Sequence, residues 1–200
     1  MLTIYHAKQT RSLRPIWLCH ELGIDVEVKT LPFTPEGLAD PEFRRLSPAG
    51  KIPVMVDGDL TLFESGAIVE TILDRYGNGK LRPAEASDAR ALYRQWCDFS
   101  ESTLLRPLGF NRLKRAPDDG LPELLDDANQ KVHGALSVVE NALADADYLI
   151  DDTFSAADIM MGYALALLAF SSTVDDRYPN CQRYVAALMA REACQLALAH

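Results

Sequence analysis

The sequence predicts a small α/β domain followed by an all-helical one, and three observations carry that division. Two strand-like runs, Leu2 to His6 and Asp25 to Leu31, flank a helical stretch at the start of the chain. A proline-bounded hairpin follows around Asp57-Gly58-Asp59. Past Gly77-Asn78-Gly79-Lys80 no strand signal survives, while helical periodicity is almost continuous. The expected organisation is therefore an α/β domain over 1–77, a linker over 78–86 and an all-α domain over 87–200.

Each element has its reason. Leu13 to Leu22 reads as a helix ended by Gly23, which tolerates the left-handed conformation that closes helices. Pro32 to Pro41 is polar and proline-bearing, hence a loop, and Glu42 to Leu46 a short helical turn. The residue before Pro53 is barred from the helical region, so Ile52 is extended and Pro53 is expected to open an edge strand running to Val56, paired with Thr61 to Phe63. Ser65 begins a helix to about Tyr76, with Ile68, Val69, Ile72 and Leu73 spaced for one buried face. Beyond the linker, Ala86 to about Arg115 gives one or two helices interrupted near Pro107-Leu108-Gly109. Leu121 to Ala144 gives a long amphipathic helix, Ser155 to Phe170 a core helix, and Tyr178 to about Leu198 one or two more. Ser155-Ala156-Ala157-Asp158 has the spacing of a capping box, the hydroxyl serving the amides of the first turn and the carboxylate reaching back to the Ser155 amide.

Composition narrows the function classes. The 200 residues hold 48% hydrophobic and 24% charged residues, the mixture of a globular chain that folds by burial. With 20 Lys and Arg against 29 Asp and Glu, the net charge of −9 gives no basic footprint for nucleic acid. The longest apolar run, Ile159 to Phe170, falls short of the roughly 20 residues a membrane span needs. Cys19, Cys97, Cys181 and Cys194 are scattered, with neither a Cys-x-x-Cys pair nor a nearby histidine pattern, so no metal site is expected and a reduced, cytoplasmic setting is.

The motif that points to chemistry is Ser47-Pro48-Ala49-Gly50-Lys51-Ile52-Pro53-Val54, followed by Phe63-Glu64-Ser65-Gly66-Ala67-Ile68. A cis Ile52-Pro53 bond would turn the Ile52 backbone outward as donor and acceptor for a peptide-like ligand. Glu64 and Ser65 stand where a strand becomes a helix, where an acid, a hydroxyl and helix-end amides can hold an ammonium and a carboxylate side by side. Leu46 to Gly77 resembles the glutathione-binding half of the thioredoxin-like domain of cytosolic glutathione transferases, and differs from that pattern at Met55 and at Thr71-Ile72. Ser155-Ala156-Ala157-Asp158-Ile159 is similar to the family motif that begins the central helix of its second domain.

The resemblance implies a thioredoxin-like domain joined to an all-α helical one, and an enzyme that attacks a small hydrophobic electrophile with the thiolate of glutathione, its co-substrate, without a metal. It also implies a twofold homodimer, while the charge, apolar-run and cysteine readings above give the expectation of a cytoplasmic protein with no nucleic-acid or membrane partner. A glutathione-dependent peroxidase, disulfide reductase or isomerase would share the same glutathione site, and a non-catalytic interaction protein could keep the fold. A free thiol near pKa 8.5 is only a few per cent ionised at neutral pH, so an activator is needed. Ser12, Thr10 and Arg11 are the candidates, in that order, in the loop where bacterial relatives place serine, cysteine or tyrosine; the lesser alternative for Ser12 is a plain helix cap. Glutathione contacts carried over by position are Gln9, Lys51, Ile52, Pro53, Glu64 and Ser65, with the alternatives that Glu64 is a solvated charge and Ser65 a cap. The electrophile pocket is expected from Ser102, Leu105, Arg106, Gly109, Phe110 and Leu113.

Overall fold

The computed structural model describes residues 1–107 and 122–200, and the chain folds as two compact units. Residues 1–83 and 188–200 form one unit, residues 84–187 the other. The sheet of the first unit contains β1 (Thr3–His6), β2 (Glu27–Thr30), β3 (Val54–Asp57) and β4 (Leu60–Phe63), in the order β2-β1-β3-β4. β1 runs parallel to β2 with Thr3 opposite Glu27, and antiparallel to β3 with Tyr5 opposite Val54. Pairing of Asp57 with Leu60 leaves Gly58 and Asp59 as the hairpin turn, and Gly58 adopts the positive φ of 61° that such a turn requires.

The strand opened by the proline is an inner one, which corrects the edge-strand expectation. β3 is paired on both sides, but its ladder starts at Val54, so the missing N–H of Pro53 costs no sheet bond. The polar loop after β2 also folds further than expected. It holds α2 (Pro35–Ala39), where Thr34 accepts from the Gly37 amide and Pro35 stands at the first helical position. It continues into α3 (Pro41–Leu46), capped by the Asp40 carboxylate on the amides of Glu42 and Phe43.

α1 (Leu13–Leu22) ends as the sequence predicts, at Gly23 with φ 68°, whose amide returns to the last turn. It is buried from Leu13 through Cys19, because α4 (Ser65–Tyr76) packs on it and α9 (Glu192–Leu198) covers it again. Residues 188–200, which periodicity groups with the helical domain, thus fold with the first unit. Arg191 clamps Glu21 through Nε at 2.6 Å and Nη2 at 2.9 Å, and Trp17 donates its indole N–H to the same carboxylate at 2.9 Å.

In the second unit α5 (Asp88–Asp98), capped by Ser87, runs on into a π-helical segment, Phe99–Leu105. α6 (Pro122–Ala142), α7 (Ala156–Phe170) and α8 (Pro179–Met189) follow, with the last residues of α8 passing into the first unit. α7 is the core helix, apolar on nearly every face and buried without a break from Ala156 to Leu165. The capping box forms as read: the Ser155 amide donates to Asp158 Oδ2 at 2.8 Å, and Ser155 Oγ accepts from the Ala157 amide at 3.3 Å. Among the described residues no helix is long and apolar enough to cross a membrane.

Candidate active site

Three segments of the first unit are drawn to one end of its sheet. Ala7, at the end of β1, shares an apolar cluster with Phe43, Ile52 and Val54, so the loop after β1 lies against the Ile52-Pro53 segment. That segment has the cis Ile52-Pro53 bond expected from the sequence. Ser47, fully buried, holds its approach: its hydroxyl donates to the Lys51 carbonyl at 2.8 Å and accepts from the Lys51 amide at 2.9 Å. Lys51 itself points its side chain to solvent and Ile52 is buried at 9% exposure.

The start of α4 is joined to the start of α1 by a contact that sequence reasoning missed. Arg14 has no exposed surface and donates from Nη1 to Ser65 Oγ at 3.1 Å. Ser65 is therefore the first residue of α4 rather than its cap, and its hydroxyl oxygen is held by a cation. The cap position belongs to Glu64, which has φ 76°, a left-handed conformation that disfavours any residue with a Cβ. Its carboxylate makes no capping bond and is exposed beside the helix end, where first-turn amides and the macrodipole add positive potential. Acid, hydroxyl and buried guanidinium thus stand side by side at one helix terminus.

The loop before α1 carries the second cluster. Ser12 occupies the N-cap of α1 yet makes no capping bond and is fully buried. Its Oγ lies 2.9 Å from His6 Nδ1, 2.6 Å from Thr10 Oγ1 and 3.4 Å from the Ala7 carbonyl. Thr10 Oγ1 also donates to the Ala7 carbonyl at 2.7 Å, and Thr10 keeps 7% of its surface. Arg11 is half-buried; Gln9 is exposed, with φ 60°. His6, 3% exposed, was not among the expected residues, although alternation along β1 puts it on the same face as the buried Ile4. Burial pushes the His6 imidazole below its ordinary value, with repulsion from His200 and Lys8 acting the same way, so it is neutral at physiological pH.

The expected electrophile residues lie in the second unit. Ser102 and Arg106 border a cavity of about 410 Å³ together with Thr103, Pro107, Asp127 and Lys131. Leu105 is 3% exposed and packs into the core of that unit. Gly109, Phe110 and Leu113 lie outside the described residues. Among the described residues no group of three or more His, Cys, Asp or Glu side chains could hold a metal ion.

Comparison with known proteins bears on the whole chain. The glutathione S-transferase N-terminal domain family matches residues 1–74, and the glutathione S-transferase C-terminal domain family matches residues 122–187. Glutathione S-transferase 3 of Zea mays is 32% identical over 94% of this chain and 88% of its own length. Glutathione S-transferase 3 of Schizosaccharomyces pombe is 28% identical, covering 98% of this chain and 86% of its own. Among solved structures, a glutathione S-transferase from Actinobacillus pleuropneumoniae superposes with a TM-score of 0.85 at 30% identity, over 98% of this chain and 91% of that one. BphK, a bacterial transferase, gives 0.84 at 29% identity over 98% of both chains. A helix-end acid-hydroxyl pair, the Ile-Pro segment beside a hydroxyl-bearing loop, and matches in both halves agree: the chain belongs to the cytosolic glutathione S-transferase family.

Proposed function

We propose that the chain conjugates the thiolate of glutathione to a small hydrophobic electrophile, with the first unit holding the tripeptide and Thr10 meeting its sulfur. The observation that carries this reading is the buried Arg14 guanidinium behind Ser65. With its oxygen accepting from Arg14, Ser65 Oγ is left to donate its proton, and with the first-turn amides of α4 it favours an anion at this helix terminus, while the exposed Glu64 next to it favours a cation. An α-amino acid presents that pair of charges together, as the γ-glutamyl end of glutathione does. Ile52 would then align its backbone with the cysteinyl unit, with Pro53 setting its orientation, while Lys51 or Gln9 approaches the glycyl carboxylate.

This orientation directs the thiol toward the loop before α1. Ser12 is enclosed, so a sulfur arriving from solvent meets Thr10 first, with Arg11 as a flanking positive charge. A hydroxyl donor and the N-terminal end of α1 both favour the thiolate over the thiol, and each tenfold gain in its population corresponds to about 1.4 kcal/mol. Catalysis then consists of attack by that sulfur on the electrophile. Ser102 and Arg106 would be on the electrophile side, where the arginine suits a co-substrate with a developing negative charge.

A twofold homodimer in the cytoplasm completes the reading. Phe63 on the outer strand β4 is 43% exposed, an apolar surface suited to a second copy. Cys19, Cys181 and Cys194 are buried and their thiols are pushed up to about 12 by burial, consistent with packed, reduced side chains. Calorimetric titration with glutathione tests the core of the proposal. Binding should be measurable for the native chain and weakened about tenfold or more in Ser65→Ala and in Glu64→Ala. No heat on adding glutathione to folded protein would end it, and conjugation of chlorodinitrobenzene would separate a transferase from a binding protein.

A further inference from the structure

His6, Ser12 and Thr10 form an unbroken line of polar groups, with contacts of 2.9 Å and 2.6 Å. All three residues are at least nine-tenths buried. A line of this kind can run in only one direction at a time, because each hydroxyl has a single proton. Two features of the structure select the direction. His6 Nε2 is buried and has no hydrogen-bond partner among the described residues, so a proton there would be an orphaned donor. The same proton on Nδ1 meets Ser12 Oγ. With Nδ1 as donor, Ser12 Oγ accepts from His6 and its own proton must leave toward Thr10 Oγ1 or, at the longer 3.4 Å, the Ala7 carbonyl. Thr10 in turn must send its proton onward, and at rest that proton goes to the Ala7 carbonyl at 2.7 Å.

We propose that His6, Ser12 and Thr10 act as a one-directional relay, in which His6 and Ser12 are positioning residues that turn the Thr10 hydroxyl into a committed donor for the glutathione sulfur. This rests on the reading that glutathione binds with its thiol at Thr10. The Thr10 proton has a neutral acceptor, the Ala7 carbonyl, to which it returns when the sulfur carries its own hydrogen. A charge-assisted bond to a thiolate is about twice as strong as a neutral one, so the hydroxyl rotates to the sulfur only once the sulfur is anionic. The relay thereby stabilises the thiolate without equally stabilising the thiol, the condition for lowering a pKa. No proton is transferred along the line; each is held by its own atom, and polarisation along the chain of donors strengthens the last bond. Burial suits the task, since a charged His6 would donate from both nitrogens and place an unpartnered cation in the core. Lys8 and His200 act on His6 electrostatically from the loop and from the end of the chain, and Arg11 flanks the loop; these charges are unchanged by the substitutions below.

The test is the titration of enzyme-bound glutathione, followed by the ultraviolet absorbance of its thiolate, in Thr10→Val, Ser12→Ala, His6→Phe and His6→Asn. The bound thiol pKa should rise by about one unit in Ser12→Ala and His6→Phe, with turnover of chlorodinitrobenzene at neutral pH falling about tenfold. Affinity for S-methylglutathione, which has no thiol to ionise, should stay within about twofold in both. Asparagine at position 6 carries an N–H that can reach Ser12 and should restore most of the loss. A bound-thiol pKa that rises in Thr10→Val but is unchanged in Ser12→Ala and His6→Phe overturns the relay and leaves Thr10 as a lone activator. A pKa unchanged in all of them, with glutathione still bound, overturns the placement of the sulfur at Thr10. Loss of S-methylglutathione binding in a folded Ser12→Ala variant also overturns the relay, because its role would then be in holding the peptide. Ser12→Ala is the smallest of the changes and decides alone should His6→Phe not fold.

Discussion

Ser12 and Ser155 both stand at the N-terminus of a helix and both are buried, yet their hydroxyls have different destinations. Ser155 turns back onto α7 and joins a closed set. Asp158 accepts from the Leu149 amide at 3.0 Å, the Ser155 amide at 2.8 Å, Ser155 Oγ at 3.0 Å and Tyr184 Oη at 2.7 Å. Ser12 makes no capping bond and faces sideways into His6 and Thr10, a set that ends in an unpartnered buried nitrogen on one side and, on the other, in a buried threonine that donates to the Ala7 carbonyl. The carboxylate of the Ser155 set is saturated by its four donors, whereas the Ser12 set leaves His6 Nε2 without a hydrogen-bond partner among the described residues. The difference also shows in Asp158, where burial outweighs the four hydrogen bonds and raises the carboxyl pKa, a strain that a fully packed core can hold.

The largest effect that could break this contrast is on stability. Asp158→Ala strands four donors in the interior of the second unit and should lower unfolding free energy by about 3–5 kcal/mol, seen as a lower urea midpoint. A loss under about 1 kcal/mol would mean that the closed network is not holding α7. Thr10→Val should behave in the opposite way, reducing kcat/KM for conjugation about a hundredfold while shifting stability by less than about 1.5 kcal/mol. If it unfolds the protein as Asp158→Ala does, the loop is a structural device like the capping box.

Smaller effects sharpen the comparison. Glu64→Gly relieves a φ of 76° and should stabilise the fold by about 0.5–1 kcal/mol, while weakening glutathione binding about tenfold by removing the carboxylate. Stability gained together with affinity lost is the signature of strain kept for function; parallel losses would assign Glu64 to the fold alone. The smallest effect is the pH dependence from His6. Its folded pKa is lowered, so the unfolded imidazole takes up a proton first, at about pH 6.5, and the folded one resists. Its contribution to stability is complete above that pH and is lost as pH falls through the lowered folded value. The native chain should lose stability more steeply than His6→Phe as pH falls below about 6.5, in urea titrations at matched ionic strength.

Much of the fold was legible because local chemistry determines it. The α1 boundaries follow from the Ser12 cap position and Gly23, the α7 start from Ser155 and Asp158, and the hairpin from Gly58, where each residue type has few alternatives. What was not legible depends on partners distant in sequence. Nothing near Pro53 says that two strands flank β3, and α9 pairs with α1 across nearly the whole chain. For the proposed site, residue types and spacing single out Thr10, Ser12, Glu64 and Ser65, but not that Ser12 faces His6 and Thr10 or that Ser65 accepts from Arg14. Arg14 had a readable sign, a lone charge between Leu13 and Pro15 inside the apolar run that leads to Cys19, since a cation buried in such a run needs a purpose. His6 had one in strand parity with Ile4.

The clamp between Arg191 and Glu21 has a consequence for the order in which the polypeptide matures. During translation the first unit emerges early, but the segment that covers α1 is made only after the intervening residues 84–187. At ordinary elongation rates that interval is roughly 5 to 20 s. Through it Trp17 and its neighbours lack the cover that α9 gives them, so the unit whose first strand is made earliest is the one completed last.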